Sequence, residues 1–469
     1  MRILLPLLFL PLWGWTQRNA PLDRIDSFLQ AEVLYRQFNG NVLIANKGKV
    51  VYQKSFGYRH LDPELPLDSL SVFEVASISK QFTAGAILQL AEQGKLTLND
   101  SLRKYFPSLP YGVTIRQMLT HTSGLPHYED LMEEKWDWKK VANNDSVIRY
   151  LALYKPPMEF PAGRDWSYNN TAYVLLASIV ERVSRMSYDQ YMMKNVFSRL
   201  GMNHTRIFNT RRWKGDTIAN YAYGYVWSDS LERYLLPDSL PEYRRVYYLD
   251  AIVGDAGVNS TAGDLFIWVQ SLKNHSLLKE KSIQLMTSPL VVQDTSAKRN
   301  YYYGLGQFVT HNELGKRVYH SGSWPGYKNN LAWYPERDLV VIVLCNNNFW
   351  ADGLAASLEN ILAGRMPVMP EPLTETEEVD DRLLSAYAGV YEYRFEGFRD
   401  RLTLTKKDGR LVMDPRRGGR WTLRATGQNQ FCYDVGQDLK LVFVVNVDGE
   451  VVHGDVYWVG VRADLRRIN

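Results

Sequence analysis

Two groups of strand-like segments with a long helical stretch between them most constrain the fold of this chain. Residues 40–59 have the pattern of a β-hairpin with a turn at 46–49, and strand patterns return between 316 and 347. From about 80 to 200 the apolar residues follow helical spacing, most clearly at 81–92, where Gly94 is placed to end an amphipathic helix, and at 172–183. We therefore predict one α/β (α+β) domain whose sheet is closed by its N- and C-terminal segments.

The composition changes after residue 365. Pro367 and Pro370 lead into 371–381, which has six acidic residues and no basic one, so we place a linker at 366–381 and the large domain at 18–365. Beyond the linker, short β-like runs alternate with turn signals such as Asp408-Gly409. This pattern predicts a small antiparallel β-meander or barrel over 382–469, in which we find no catalytic constellation.

The first seventeen residues have the composition of a secretory signal peptide. Arg2 precedes an apolar run at 3–15, and a polar stretch follows at 16–19. We predict that residues 1–17 are removed and that the protein is periplasmic or secreted, the alternative being a buried N-terminal strand or helix. No later segment approaches eighteen apolar residues, and the apolar run at 339–345 indicates a buried strand. We therefore expect no transmembrane anchor once the leader is removed.

Charge and metal-binding residues exclude several classes of function. The chain has 55 basic and 51 acidic residues, a net charge of +4, and no block of like charges, which argues against nucleic acid as a partner. Its two cysteines, Cys345 and Cys432, do not make a disulfide framework. The eight histidines show no metal-binding spacing. We therefore predict no metal and no cofactor, and a small-molecule or peptide substrate.

The candidate chemistry starts at Ser77 and Lys80. S-x-x-K occurs three times in the chain, but only Ser77 follows an extended segment and opens a helix, whereas Ser101 has the context of a helix cap and Ser276 has no second element near it. At positions i and i+3 of a helix, the serine and lysine share a face. A desolvated lysine can lose its proton and then accept that of the hydroxyl. The pair therefore predicts a serine nucleophile with a lysine base.

Two further elements complete the candidate site. Tyr168 and Asn170 precede the second apolar helix, where the phenol can act as a base or as an acid to the leaving group and the amide can bond Lys80 and a substrate carbonyl. Tyr327-Lys328-Asn329 also fits Y-x-N, so the tripeptide alone is weak evidence. The third element is a predicted strand at 320–323, HSGS, which we interpret as an edge strand. There the amide of Ser323 can face that of Ser77 across an oxyanion hole.

In this order, S-x-x-K, Y-x-N and [KH]-[ST]-G resemble the motifs of the serine β-lactamase and penicillin-binding-protein superfamily. The tyrosine of the second motif and the histidine of the third resemble class C β-lactamases and related D-amino-acid peptidases and esterases. The segments 118–125 and 254–265 strengthen the match, which runs from about 24 to 364. The tail, with YAGVY at 387–391, is similar to the lipocalin-like β domains appended to many such hydrolases.

The resemblance implies a β-lactamase/transpeptidase-like fold: an antiparallel sheet flanked by helices, a helical subdomain, and a small antiparallel β-barrel-like domain. It implies that Ser77 is the nucleophile and that Lys80 and Tyr168 transfer protons. The substrate-binding residues that it implies are Asn170, His320, Ser321, Gly322 and Ser323.

One departure from the lactamase pattern bears on the substrate. A lysine at the start of the third motif gives a permanent cation for a substrate carboxylate, whereas His320 is mostly neutral at pH 7. We therefore expect a weak β-lactamase at best, and a better esterase or D-peptide hydrolase that acts through an acyl-enzyme. The alternatives are a catalytically silent protein that binds cell-wall peptides in the same cleft and, more distantly, a metallohydrolase. His121 is interpreted as supporting a turn near the site.

Overall fold

The computed structural model describes residues 20–208, 217–294, 301–372, 378–395, 398–415, 420–433, 439–446, 449–458 and 461–468. The predicted leader at 1–17 lies outside these residues. In the described part of the chain, no helix is both long enough and apolar enough to cross a membrane.

The α-helices in these residues are α1 (Ala20–Arg36), α2 (Ser79–Glu92), α3 (Leu102–Tyr105), α4 (Ile115–Leu119), α5 (Tyr128–Lys135), α6 (Asn144–Tyr154), α7 (Asn170–Ser184), α8 (Tyr188–Met192), α9 (Ser198–Leu200), α10 (Arg245–Tyr248), α11 (Ala262–Lys273), α12 (Glu280–Met286), α13 (Ala351–Leu362) and α14 (Asp381–Tyr387).

The strands before the tail are β1 (Gly40–Asn46), β2 (Lys49–Phe56), β3 (Tyr58–Leu61), β4 (Glu64–Pro66), β5 (Phe73–Glu74), β6 (Arg206–Ile207), β7 (Val226–Ser228), β8 (Arg233–Leu235), β9 (Val258–Ser260), β10 (Val291–Asp294), β11 (Tyr301–Tyr303), β12 (Phe308–Asn312), β13 (Gly315–Trp324), β14 (Tyr327–Tyr334) and β15 (Leu339–Cys345). The strands of the tail are β16 (Gly389–Phe395), β17 (Phe398–Lys407), β18 (Arg410–Pro415), β19 (Trp421–Thr422), β20 (Arg424–Gly427), β21 (Gln430–Tyr433), β22 (Leu439–Val445), β23 (Val451–Trp458) and β24 (Val461–Arg467).

The main sheet joins the two groups of strand-like segments. Its order is β10-β11-β12-β13-β14-β15-β1-β2 in the described residues, and every pairing is antiparallel. The N-terminal hairpin β1–β2 meets the late strands through β1 and β15, whose register pairs Gly40 with Cys345. The predicted closure of the sheet by both ends of the domain is confirmed.

Helices cover both faces of this sheet. Along β15, Val341 and Val343 pack into a core that includes residues of α1 and α13, whereas Val340 and Ile342 pack into the core formed with α2, α7 and α11. All seven residues of β15 are therefore buried, including the thiol of Cys345. A strand covered on both faces is apolar throughout rather than alternating, which explains the run at 339–345.

The helix α2 is buried on all sides, so the prediction of an amphipathic helix at 81–92 was wrong in character although right in place. Every residue from Ser79 to Leu90 is buried, and Gly94 follows in the left-handed conformation at φ +68°. The polar positions do not face water, because they bond to neighbouring segments. Ser79 Oγ accepts from Val258 N at 3.1 Å, and Thr83 Oγ1 donates to the Gly254 carbonyl at 2.6 Å.

The tail folds as a separate antiparallel sheet in the order β19-β18-β17-β16-β24-β23-β22-β21-β20. Its two ends approach each other where β18 meets β20, so the sheet is nearly closed into a barrel. Side chains such as Tyr387, Leu441 and Phe443 fill its interior. The predicted β-barrel-like fold is confirmed, while the domain limits at 365 and 382 stay predictions. We call this unit the β domain.

Candidate active site

Ser77 lies in a short 3₁₀ turn, Ala76–Ile78, directly before α2. The preceding strand β5 pairs with β9, and Val75 N donates to the Val258 carbonyl at 2.9 Å, which fixes the chain where it enters the turn. Ala76 has φ +48°, a conformation that a residue with a side chain seldom adopts. Such strain persists only where the surrounding structure enforces it. The turn therefore holds Ser77 half-buried at the helix start.

Lys80 is fully buried, one turn further along, and its Nζ lies 3.1 Å from Ser77 Oγ. The same Nζ donates to the backbone carbonyl of Asp255 at 2.9 Å. Desolvation lowers the pKa of Lys80 to about 8, although the carboxyl groups of Asp255 and Glu129 oppose the fall. The i, i+3 spacing thus brings the pair into direct contact, as the sequence predicted.

Tyr168 completes this contact from the segment before α7. Its ring lies under Lys80, with Nζ 4.9 Å from the ring centroid, and its hydroxyl is hydrogen-bonded with the Ser77 side chain. Burial raises the pKa of Tyr168 well above 10, and the hydrogen bond with Ser77 only partly opposes this. At neutral pH the phenol is therefore protonated, and the lysine is the group that can be neutral.

His121 holds the segment that carries Tyr168. Its Nδ1 accepts from Asn169 N at 3.0 Å and its carbonyl accepts from Ser167 N at 3.1 Å, so the histidine is bonded on both sides of Tyr168. The two rings are 4.4 Å apart between centroids. Desolvation keeps the pKa of His121 well below its usual value. These contacts agree with the interpretation of His121 as a support for a turn.

The third motif lies on β13, beside the turn of Ser77. Interpreting it as part of an edge strand was wrong for the strand as a whole, since β13 pairs with both β12 and β14. The pairing with β12 nevertheless ends at Tyr319, so the motif at 320–323 extends beyond its neighbour in the described residues. At Gly322 a Cβ would lie 2.1 Å from the carbonyl oxygen of Val75. Glycine is required there because the strand passes directly against the chain that leads to Ser77.

His320 is buried in this strand and is neutral. Its Nδ1 lies 2.6 Å from the Ser321 carbonyl, which places the proton on Nδ1, and its Nε2 lies 3.2 Å from the Tyr303 hydroxyl. Desolvation and the nearby charge of Lys80 lower the pKa of His320 to about 3. A neutral imidazole in this position supplies no cation for a substrate carboxylate.

Asn170 contacts a different partner from the one expected. Its Nδ2 donates to Glu129 Oε1. Its oxygen, the atom that would accept from Lys80, has no hydrogen-bond partner in the described structure, so the expected bond to Lys80 is absent there. That oxygen is buried, yet Asn170 lines the same cleft as Ser77. An acceptor without a donor at this position is available to a substrate amide.

The comparison with known sequences agrees with this geometry. The sequence model of the beta-lactamase family matches residues 30–364, which include Ser77, Lys80, Tyr168 and the strand at 320–323. The chain belongs to the beta-lactamase family.

Relatives in this family cover most of the chain. Penicillin-binding protein 4* of Bacillus subtilis (strain 168) is 36% identical over 428 residues, which is 88% of this chain and 94% of that protein. The octameric penicillin-binding protein homologue from Pyrococcus abyssi has a TM-score of 0.65 at 25% identity and covers 95% of this chain and 100% of its own. The penicillin-binding protein from Bacillus halodurans has a TM-score of 0.62 at 27% identity over 73% of this chain and 99% of its own. The protein is therefore a serine hydrolase.

Sequence reasoning missed Lys328 on β14, a cation that lies beside the third motif of this beta-lactamase-family site. It stands opposite Ser323 in the strand register, and its Nζ donates to Ser323 Oγ at 2.6 Å. Burial lowers the pKa of Lys328, while the nearby Asp352 opposes this. The only signal in the sequence was the competing Y-x-N tripeptide, in which Tyr327 proves structural because its hydroxyl donates to the Ala222 carbonyl at 2.7 Å.

Two other groups of residues prove to be outside the site. Ser101 caps α3 by accepting from Arg103 N at 3.3 Å, as predicted from its context. In the β domain, His453, Asp455 and Asp464 present ligand atoms within 4.8 Å of one another. The guanidinium of Arg462 already bonds to Asp455 at 2.8 Å, so an ion pair accounts for this cluster.

Proposed function

We propose that this serine hydrolase is exported and cleaves amide or ester bonds through an acyl-enzyme on Ser77. The observation that carries the proposal is the 3.1 Å contact between Ser77 Oγ and the buried Nζ of Lys80. A lysine with a pKa of about 8 is neutral in a useful fraction of molecules near neutral pH, and a neutral amine accepts the hydroxyl proton.

In the first half-reaction, Ser77 Oγ attacks the substrate carbonyl carbon while its proton passes to Nζ of Lys80. The tetrahedral oxyanion is held by the backbone amides of Ser77 and Ser323. Tyr168, which remains protonated, donates its proton to the leaving nitrogen or oxygen as the bond to carbon breaks, and regains a proton from Lys80. In the second half-reaction, water attacks the ester, its proton returns to Ser77 through Lys80, and the acid is released.

The proposed substrate is a D-amino-acid peptide, a peptidoglycan-related peptide or an ester. A relative named as a penicillin-binding protein, 36% identical, supports this class. Because His320 is neutral, the third motif lacks the cation that a lysine supplies in the lactamase pattern, and we therefore propose that β-lactamase activity is weak. Lys328, which pairs with Ser323 in the strand register and lines the cleft, is an alternative partner for a substrate carboxylate. Rapid turnover of cephalosporins at low micromolar concentration would contradict this part of the proposal.

Covalent labelling tests the nucleophile. We expect a fluorophosphonate probe to label the wild-type protein and not Ser77→Ala, and the labelled peptide to contain residue 77 in mass spectrometry. Ser101→Ala is the matched control, because Ser101 has the same S-x-x-K spacing but caps a helix elsewhere, and it should label like wild type. Equally weak labelling of wild type and Ser77→Ala would instead support a silent peptide-binding protein.

A further inference from the structure

The cleft in front of Ser77 is not formed by the large domain alone. Tyr393, Arg420, Trp421 and Tyr433 of the β domain line the same cavity as Ser77 and Asn170. The cavity measures about 1390 Å³. Pockets for single small ligands are about 300–1,000 Å³, so this cleft has room for a longer substrate.

The β domain is held against the cleft by packed aromatic residues. Trp227 and Tyr234, which belong to the hairpin β7–β8, and Trp350, which precedes α13, all pack on the core of the barrel. Tyr433 adds a polar contact, since its hydroxyl donates to Asp229 Oδ1 at 3.3 Å. This wall of the cleft is therefore preformed by contacts between the two domains.

Trp421 and Tyr433 form the aromatic surface of that wall. Their rings are stacked, with centroids 5.2 Å apart and planes 9° from parallel. Tyr433 is buried and Trp421 is only partly buried, so Trp421 presents the accessible ring to the cleft. A ring supported from behind loses little conformational freedom when a second flat or apolar group packs on it.

The charges of the cleft indicate the kind of chain that it accepts. Among the described lining residues, nine are carboxylic acids and three are basic, although the whole chain has a net charge of +4. Burial raises the pKa of four of these acids, and the other five still outnumber the basic residues. One of these acids, Asp255, is 5% exposed and has a buried oxygen without a hydrogen-bond partner. A cleft of this sign attracts a substrate that bears amines and repels a polyanion.

We propose that the β domain forms a distal subsite of the active-site cleft, in which Trp421 packs against an aromatic or apolar residue of an extended, amine-bearing peptide substrate. This inference rests on the proposed function of Ser77, and it adds a specificity role for the β domain. The scissile bond of the substrate lies at Ser77, and a residue further along the same peptide binds at Trp421.

The experiment compares short and extended substrates with the same scissile bond. The short substrate is a D-peptide amide. Two extended series carry two further residues, the outer one phenylalanine, either before or after the scissile bond. Hydrolysis by the full-length protein is followed by chromatography. For Trp421→Ala we expect kcat/KM to fall about tenfold on at least one extended series and to stay within about twofold on the short amide. Trp421→Phe, which keeps an aromatic ring, should retain most of the wild-type kcat/KM on the extended substrate.

The controls separate this subsite from the proposed nucleophile. Tyr457→Ala changes an aromatic residue of the same β domain outside the cleft lining and should behave as wild type on all substrates. Ser77→Ala should lose both short and extended substrates, and continued hydrolysis by it would overturn the proposed function. An equal effect of Trp421→Ala on short and extended substrates, or no effect on either, would overturn the distal subsite.

Discussion

Two lysine–serine pairs lie in the same cleft and differ in what surrounds them. Lys80 and Ser77 share the start of a helix, 3.1 Å apart, and Lys328 and Ser323 face each other across two strands, 2.6 Å apart. Burial lowers the pKa of both lysines. The candidate nucleophile, Ser77, is thus in the pair with the longer contact, so the lysine–serine distance alone does not identify it.

The difference lies in burial and in the third group. Lys80 is fully buried and contacts Tyr168, which also bonds Ser77, so a proton can pass along three adjacent groups. Lys328 keeps some solvent exposure, and the nearby carboxyl group of Asp352 opposes the fall in its pKa. A lysine beside a serine can act as a base when it is desolvated and linked to a proton donor, whereas a lysine that keeps solvent and a neighbouring carboxyl group is protonated more readily and can bind anions.

The strongest test of the difference between the two lysines is substitution of Lys80, for which we expect the largest effect. We expect Lys80→Met and Lys80→Arg to lower the acylation rate with a p-nitrophenyl ester by about 10³-fold, since a removed or permanently protonated base cannot accept the Ser77 proton. Lys328→Met on the same neutral ester should remain within about threefold of wild type. Stopped-flow release of p-nitrophenol measures both, and comparable losses in the two variants would contradict the distinct roles.

The pH profile is expected to give the next largest effect. Lys80 must be neutral to act, and its pKa is lowered to about 8, so kcat/KM should rise with pH through about 8 and fall about tenfold per pH unit below it. Tyr168 has a raised pKa and stays protonated over this range, so it adds no rise. Ester hydrolysis between pH 6 and 9 measures the profile, with Lys328→Gln as the matched control. A profile that is flat across this range would exclude Lys80 as the base.

The smallest effect should sharpen the role of Lys328. We expect Lys328→Gln to lower kcat/KM about tenfold for a D-peptide with a free C-terminal carboxylate, because one charge-assisted hydrogen bond is lost. The same peptide with a C-terminal amide should be cleaved by the variant and by wild type at similar rates. Steady-state hydrolysis provides the ratio of kcat/KM for the carboxylate peptide to kcat/KM for the amide peptide. If this ratio is the same in the variant and in wild type, Lys328 does not contact the carboxylate.

Local patterns in the sequence predicted the elements and the central pair of the site. The hairpin at 40–59, the helices at 81–92 and 172–183 and the buried strand at 339–345 were all found where the residues indicated. Ser77 and Lys80 were found together for the same reason, because i and i+3 on a helix are neighbours whatever the rest of the chain does.

Contacts between distant segments were not predictable in this way. The sequence offered no reason to place Glu129 beside Asn170, or the Tyr303 hydroxyl against His320. Lys328 was passed over as part of a chance tripeptide, because its relation to Ser323 appears only in the register of β13 and β14. The β domain, in which the sequence shows no catalytic constellation, likewise proved to line the cleft through Trp421.

The sequence by itself determined several of the strands and helices, the family to which the chain belongs, and the serine, lysine and tyrosine that the motifs contain. Only the tertiary structure decided how far Lys80 is buried from solvent, which acceptor Asn170 bonds, and whether the two domains line one cleft. The physical reason is that periodicity and short spacings follow from backbone geometry, whereas desolvation, strand register and domain packing depend on residues far apart in the chain.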